Sequence, residues 1–304
     1  MSDSNRLAVS VRSANARRFR LKTAITSGVA AATLLLASIP SSVLPAEPTL
    51  PIFDTHLHYN APAWTRYSPT DVARMLTAAN VPRALVSSTP DGGTLRLYQE
   101  SKTRFVPILR PYRDGVTKYN WYFDPQTPGY VATRLARGIY KGIGEFHFLT
   151  GLGAATPTAK RVADLAVKHN LVLHVHSPAL GLHTLFRNHP KLRILWAHAG
   201  RHEPAGAVRK MLDRYQNLLV ELSLRERDLA PRGKLAPTWR ALFERHPERF
   251  MVGSDTYSIR RWRQYRELID GHRRWLTQLR PDIAVAIAYG NAVRVFGSSG
   301  VLMR

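Results

Sequence analysis

Leu50-Pro51-Ile52-Phe53-Asp54-Thr55-His56-Leu57-His58 reads as an apolar strand that ends in two imidazoles two residues apart. Alternate side chains of a strand share a face, with their Cα atoms roughly 6.6 Å apart, so His56 and His58 can converge on one ion held at about 2.1 Å. The same plan recurs along the chain. Apolar runs end in an acid or a histidine at Gly144-Glu145, Val175-His176, Ala197-His198 and Ser254-Asp255.

Working outward, short β-type runs alternate with helical stretches. The expected strands are 50–58, 83–87, 105–110, 142–146, 171–176, 193–198, 218–223 and 250–255, and amphipathic segments at 69–79, 158–169, 204–215 and 238–245 lie between them. Strands alternating with helices pair in parallel through right-handed crossovers. Eight such units after residue 46 fit an α/β fold of the (β/α)8 TIM-barrel type, whose usual size is about 250 residues, with no second domain. Reactive residues of such barrels sit at the C-terminal ends of the strands, so His56, His58, Glu145, His176, His198 and Asp255 are expected to point into one cavity. Burying six polar groups at equivalent positions is costly unless they share a ligand. Two loops, at 111–128 and 225–237, are expected over the barrel mouth.

The chain of 304 residues carries a net charge of +23 and no cysteine. Thiolate metal sites, disulfide scaffolds and cysteine nucleophiles are thereby excluded, leaving His, Asp and Glu as ligands. Residues 1–46 hold six basic residues against Asp3 alone, so +23 less 5 leaves +18 on the remainder. The densest basic patch, 260–280, interleaves Trp262, Tyr265 and Trp275 with arginines. Helical spacing there predicts aromatics toward the core and arginines in water, a solvated face rather than a nucleic-acid groove. The N-terminus combines a basic segment, an apolar stretch at 24–37 and small residues up to Ala46. That order reads as an export signal, with a mature chain at 47–304 in a periplasmic-type compartment. Arg17-Arg18-Phe19-Arg20-Leu21-Lys22 is similar to a twin-arginine motif, although Arg20 stands where that pattern has an apolar residue. The apolar stretch is shorter than the roughly 20 residues that span a bilayer, so no stable membrane span is expected in the mature form.

Taken together, Asp54-Thr55-His56-Leu57-His58, Ala197-His198-Ala199-Gly200, the segment from Pro247 to Asp255 and the closing Tyr289-Gly290-Asn291-Ala292 resemble the amidohydrolase superfamily, in its amidohydrolase-related branch. The resemblance runs from Pro51 to Phe296. It implies a metal-bearing barrel that activates water, with His56, His58 and Asp255 on a first metal, and His176 and His198 matching the histidines of strands five and six. Many two-metal members bridge their ions with a carboxylated lysine on strand four. This chain has Glu145 there instead, and Lys141 lies about 13 Å back along the strand. Glu145 is similar to the bridging glutamate of TatD-like nucleases and some phosphotriesterase-like members. Two ions then become plausible, with Glu145, His176 and His198 serving the second; with one ion, His198 becomes a free base or an orienting group.

The reaction expected on this resemblance is hydrolysis of an amide, ester or lactone in a small-molecule substrate, with Asp255 taking a proton from water and returning it to the leaving group. Zinc suits the ligand mixture, and manganese or iron would also accept it. Arg110 is expected either to hold a substrate carboxylate or to pair with Glu145, and His147 to contact substrate. His174 shares parity with His176 and should sit one layer below the metal. Glu221 and Ser223 would support the ligands if strand seven turns them inward. Tyr112, Arg113, Trp121 and Tyr122 line the entrance or pack the loop, and His169, His183, His189, His202, His246 and His272 are assigned to the surface. The competing readings are a single-metal decarboxylating lyase, a TatD-like nuclease and a non-catalytic binding protein.

Overall fold

A computed structural model describes residues 49–297, so the segment read as an export signal lies outside the described residues. Eight strands alternate with helices: β1 Phe53–Leu57, α1 Pro69–Ala78, β2 Arg83–Val86, α2 Gly92–Glu100, β3 Phe105–Pro107, α3 Thr127–Leu135, β4 Gly142–His147, α4 Pro157–Lys168, β5 Val172–His176, α5 Ala179–Asn188, β6 Arg193–Trp196, α6 Ala205–Arg214, β7 Leu218–Glu221, α7 Pro237–Arg245, β8 Phe250–Met251 and α8 Tyr265–Leu276. A last helix, α9 Asn291–Phe296, follows. Local chemistry starts these helices where the sequence suggests. Ser68 and Asp71 exchange side-chain and backbone bonds in a capping box ahead of α1, and Thr156 caps α4 with Pro157 in its first turn.

All strand pairs are parallel, in a three-stranded ladder β1-β2-β3 and a five-stranded ladder β4-β5-β6-β7-β8. Two seams close them into the (β/α)8 barrel. At one, Leu109 N–H donates to Gly142 O at 3.0 Å and Gly144 N–H to Leu109 O at 2.8 Å. At the other, Thr55 N–H donates to Val252 O at 2.9 Å and Asp255 N–H to His56 O at 2.6 Å. Phe53, Leu85, Val106, Leu195, Leu219 and Met251 form one interior cluster with Ala292 and Phe296, so α9 plugs the floor of the barrel. Intervening residues such as Leu173, Val175, Val220 and Val252 belong to the larger core shared with the helices. Period-two alternation therefore puts His174 and His176 above Val172, and Glu221 above Leu219, on the interior face.

Several strands end sooner than the sequence pattern suggests, because the backbone turns near the residues singled out there. β6 stops at Trp196 because His198 and Ala199 adopt left-handed backbone, with φ of 56° and 47°. β8 stops at Met251, before Asp255 with φ of 50°. β1 and β4 each carry a register shift, after Asp54 and Gly144, which re-aims the side chains that follow. Gly144, at φ +133°, allows the second: a Cβ there would stand 2.1 Å from His174 O.

The basic patch corrects one expectation. Trp262, Tyr265 and Trp275 are buried as expected, but so are Arg261 and Arg273. Arg261 donates to the carbonyl of Asp255 and Arg273 to those of Leu50, Ala79 and Asn80. Part of the positive charge thus satisfies backbone carbonyls of loops. Among the described residues no helix is long and apolar enough to cross a membrane.

Candidate metal centre

The six residues singled out in the sequence meet at the C-terminal rim, in two donor groups that share Glu145. His56 and His58, from β1, face each other with their Nε2 atoms 3.0 Å apart. Glu145 Oε2 lies 3.4 and 3.2 Å from these nitrogens, and Asp255 Oδ1 3.6 and 3.3 Å. Their outer nitrogens fix the tautomers. His56 Nδ1 meets Glu221 Oε2 at 2.9 Å and His58 Nδ1 meets Ser87 O at 2.6 Å, and both partners only accept, so each ring carries its proton on Nδ1. Two bare nitrogens and two carboxylate oxygens then converge in a buried space. Only a cation satisfies such a set, and the mixture of imidazole and carboxylate fits a divalent metal.

Across the same carboxylate, Glu145 Oε1 lies 3.1 Å from His176 Nδ1 and 3.3 Å from His198 Nε2. His198 Nδ1 donates to Ser223 Oγ at 2.8 Å, because that hydroxyl spends its own proton on Glu221 Oε2 at 2.9 Å. His198 Nε2 is therefore bare as well. The residues present fit an ion in the first group, and Glu145 Oε1 with His176 and His198 fit a second. Arg110 holds this carboxylate in place, donating from Nη2 to Oε2 and from Nε to Glu145 O, both at 3.0 Å. That is the pairing alternative raised for Arg110. Lys141 is exposed at the start of β4, far from the rim.

Glu221 emerges as the hub beneath the ligands. Fully buried, it receives His56 Nδ1–H, the His198 N–H at 3.2 Å and the hydroxyl and N–H of Ser223. Burial alone raises its carboxyl pKa, but His56 and His198 outweigh that and hold it at about 2. Gly253 must be glycine for the same reason of crowding: a Cβ would come within 2.6 Å of both Glu221 Oε1 and His56 Cβ. His174 lies one layer down, as expected, its ring 4.4 Å from that of His56 and its nitrogens without partners among the described residues. His272 is a correction to the surface assignment. It is fully buried and its Nε2 bonds to Gly253 O at 3.0 Å, propping the segment between β8 and Asp255.

Without metal, a proton takes the place of the cation. Burial lowers the His56 pKa, yet Asp255, Glu145 and Glu221 outweigh it and raise the imidazole well above its ordinary value. A divalent ion must therefore displace a proton at pH 7. Calorimetric titration of metal-free protein with Zn2+ in two buffers of different ionisation enthalpy should give release of about one proton or more per first ion; no buffer dependence would contradict this donor set.

The loop after β3 forms one wall. Tyr112 and Trp121 are buried, and Trp121 packs on Phe146 and Phe148 with ring centroids 4.7 and 5.2 Å apart. His147, 12% exposed, and His176, 24% exposed, stack at 4.4 Å and are the open side of an otherwise buried site. Burial, with help from nearby His176 and Arg110 and against the pull of Glu145, brings the His147 pKa down to about 3.

A family model described as amidohydrolase matches residues 53–298. No curated protein matches the sequence. The fold is similar to a "probable 2-pyrone-4,6-dicarboxylic acid hydrolase" from Acinetobacter baumannii with citric acid bound (TM-score 0.58, 15% identity, covering 81% of this chain and 99% of that one). It is also similar to an amidohydrolase from Burkholderia multivorans with bound zinc (TM-score 0.57, 16% identity, 81% and 99% covered). A third similar structure is 5-carboxyvanillate decarboxylase from Sphingomonas paucimobilis (TM-score 0.54, 14% identity, 82% and 99% covered).

Proposed function

Because this chain belongs to the amidohydrolase family, we propose that it is a metal-dependent hydrolase that cleaves an amide, ester or lactone of a small molecule with water. One observation carries the reading: Glu145 offers Oε2 to His56, His58 and Asp255 and Oε1 to His176 and His198, a carboxylate shared between two donor groups. A divalent ion bound there supplies Lewis acidity, polarising a carbonyl and bringing the ionisation of water to near neutral pH. Zinc, manganese or iron suits the donors.

The chain's own residues then have distinct tasks. His56 and His58 are oriented by Glu221 and Ser87, so they do not rotate away from their place. Asp255 accepts a proton from the attacking water. As the water oxygen bonds to the carbonyl carbon and the C–N or C–O bond breaks, Asp255 returns that proton to the departing nitrogen or oxygen. The decarboxylating alternative asks Arg110 to hold the substrate acid. Its Nε and Nη2 are already engaged by Glu145, which favours hydrolysis.

Elemental analysis of purified protein, followed by a screen of lactones, esters and amides with and without added metal, tests the reading. Two equivalents of metal and metal-dependent turnover are expected. Turnover confined to carboxylated aromatics with release of carbon dioxide would assign the lyase reaction instead.

A further inference from the structure

Three of the four hydrogen-bonding groups of His147 are spoken for. Its backbone N–H donates to Tyr112 Oη at 2.9 Å, its carbonyl accepts from Trp121 Nε1 at 2.9 Å, and its Nδ1 lies 2.8 Å from the same Tyr112 oxygen. Tyr112 is 5% exposed and has one proton to place. Because its oxygen already accepts from the His147 N–H, the phenolic proton goes to His147 Nδ1, where no other acceptor is within reach among the described residues. The imidazole then carries its own hydrogen on Nε2. Glu145 Oε1 stands 3.7 Å from Nε2, beyond hydrogen-bond reach, so this donor is unspent. It lies beside the stacked His176 on the open side of the site.

We propose that His147, locked by Tyr112 as the Nε2–H tautomer, donates a hydrogen bond to the substrate carbonyl oxygen as negative charge develops there. This rests on the hydrolytic reading above. The proton stays on Nε2 throughout and only the hydrogen bond strengthens as water attacks. A donor fixed at its backbone and its far nitrogen needs no reorganisation when the charge appears, which is what gives such groups their effect. His147 is thereby assigned to the reacting oxygen, apart from proton transfer, which belongs to Asp255.

Two measurements on the full chain test the assignment. The first is long-range proton–nitrogen NMR of protein labelled at the histidine rings, metal-free and zinc-loaded, with the His147 signals identified by their loss in His147→Gln. A bare Nδ1 and a protonated Nε2 are expected, and Tyr112→Phe should shift the ring toward the other tautomer. A wild-type ring protonated on Nδ1 overturns the proposal. The second is kinetics on an ester or lactone hydrolysed by the wild type. His147→Ala should lower kcat by about 10²–10³-fold with KM and metal content little changed, and His147→Gln, which keeps an N–H, should recover at least part of that loss. A kcat for His147→Ala equal to wild type overturns the proposal and leaves the hydrolytic reading standing. A wild type that turns over no amide, ester or lactone overturns that reading and the proposal with it.

Discussion

Asp255→Asn should slow turnover by about 10²–10⁴-fold, the range that a positioned acid–base group contributes. The substitution keeps the shape of the side chain and removes its ability to take a proton. Burial pushes the Asp255 carboxyl up, but His56, with His58 and His198, outweighs burial and holds it well below the usual range. The group is therefore held as a carboxylate, the form that can accept a proton. Because Oδ1 also lies 3.3 Å from His58 Nε2 as a candidate ligand, metal content must be measured on the same preparation. Loss of rate with metal retained supports the proton-carrying role, and a rate within threefold of wild type removes it.

Glu145→Ala should change composition and stability together. Bound metal is expected to fall from two equivalents to one, since both donor groups lose their shared carboxylate and only the first keeps three other ligands. Arg110, 7% exposed, keeps its bond to the carbonyl of residue 145 but is left with a buried charge and no carboxylate against it. Breaking one side of such a pair costs about 3–5 kcal/mol, which for a domain of this size lowers the melting temperature by about 10 °C. Adding Arg110→Met to that variant removes the stranded charge and should restore part of the loss. Thermal denaturation and elemental analysis read the two effects separately. Unchanged stability would mean that the Arg110–Glu145 pair is dispensable, and unchanged stoichiometry that Glu145 holds no ion.

Most of the barrel is legible in the sequence because its strands are short apolar runs with a period of two, bounded by helices whose caps are equally plain. Val172, His174 and His176 share parity, and the structure places all three inside. The candidate ligands are legible for the same reason. What escapes is chemistry that exists only after closure. The sequence offers Glu221 as a support for the ligands only if strand seven turns it inward, and what decides this is its place beside His56, 165 positions away along the chain. Tyr112 matters through a contact between the loop after β3 and the end of β4. Buried Arg273 could not be told from a solvated arginine by composition, because the carbonyl groups it satisfies, those of Leu50, Ala79 and Asn80, lie far away along the chain. His272 did leave a signal: Tyr265, Ile269, His272 and Leu276 fall on one helical stripe, and all are buried.

The two seams of the barrel carry a consequence for how this protein can change. Where β3 meets β4 the ladder is a single bridge, and Arg110–Glu145 crosses it; where β8 meets β1, Asp255 and His56 cross. The groups assigned to the proposed chemistry are also the rivets of the cylinder. On the reading proposed above, drift at these positions is penalised twice, once in catalysis and once in assembly, whereas most of the connecting loops hold no part of either seam. On that reading, the canopy of loops can be remodelled for other substrates while the riveted ring beneath stays as it is.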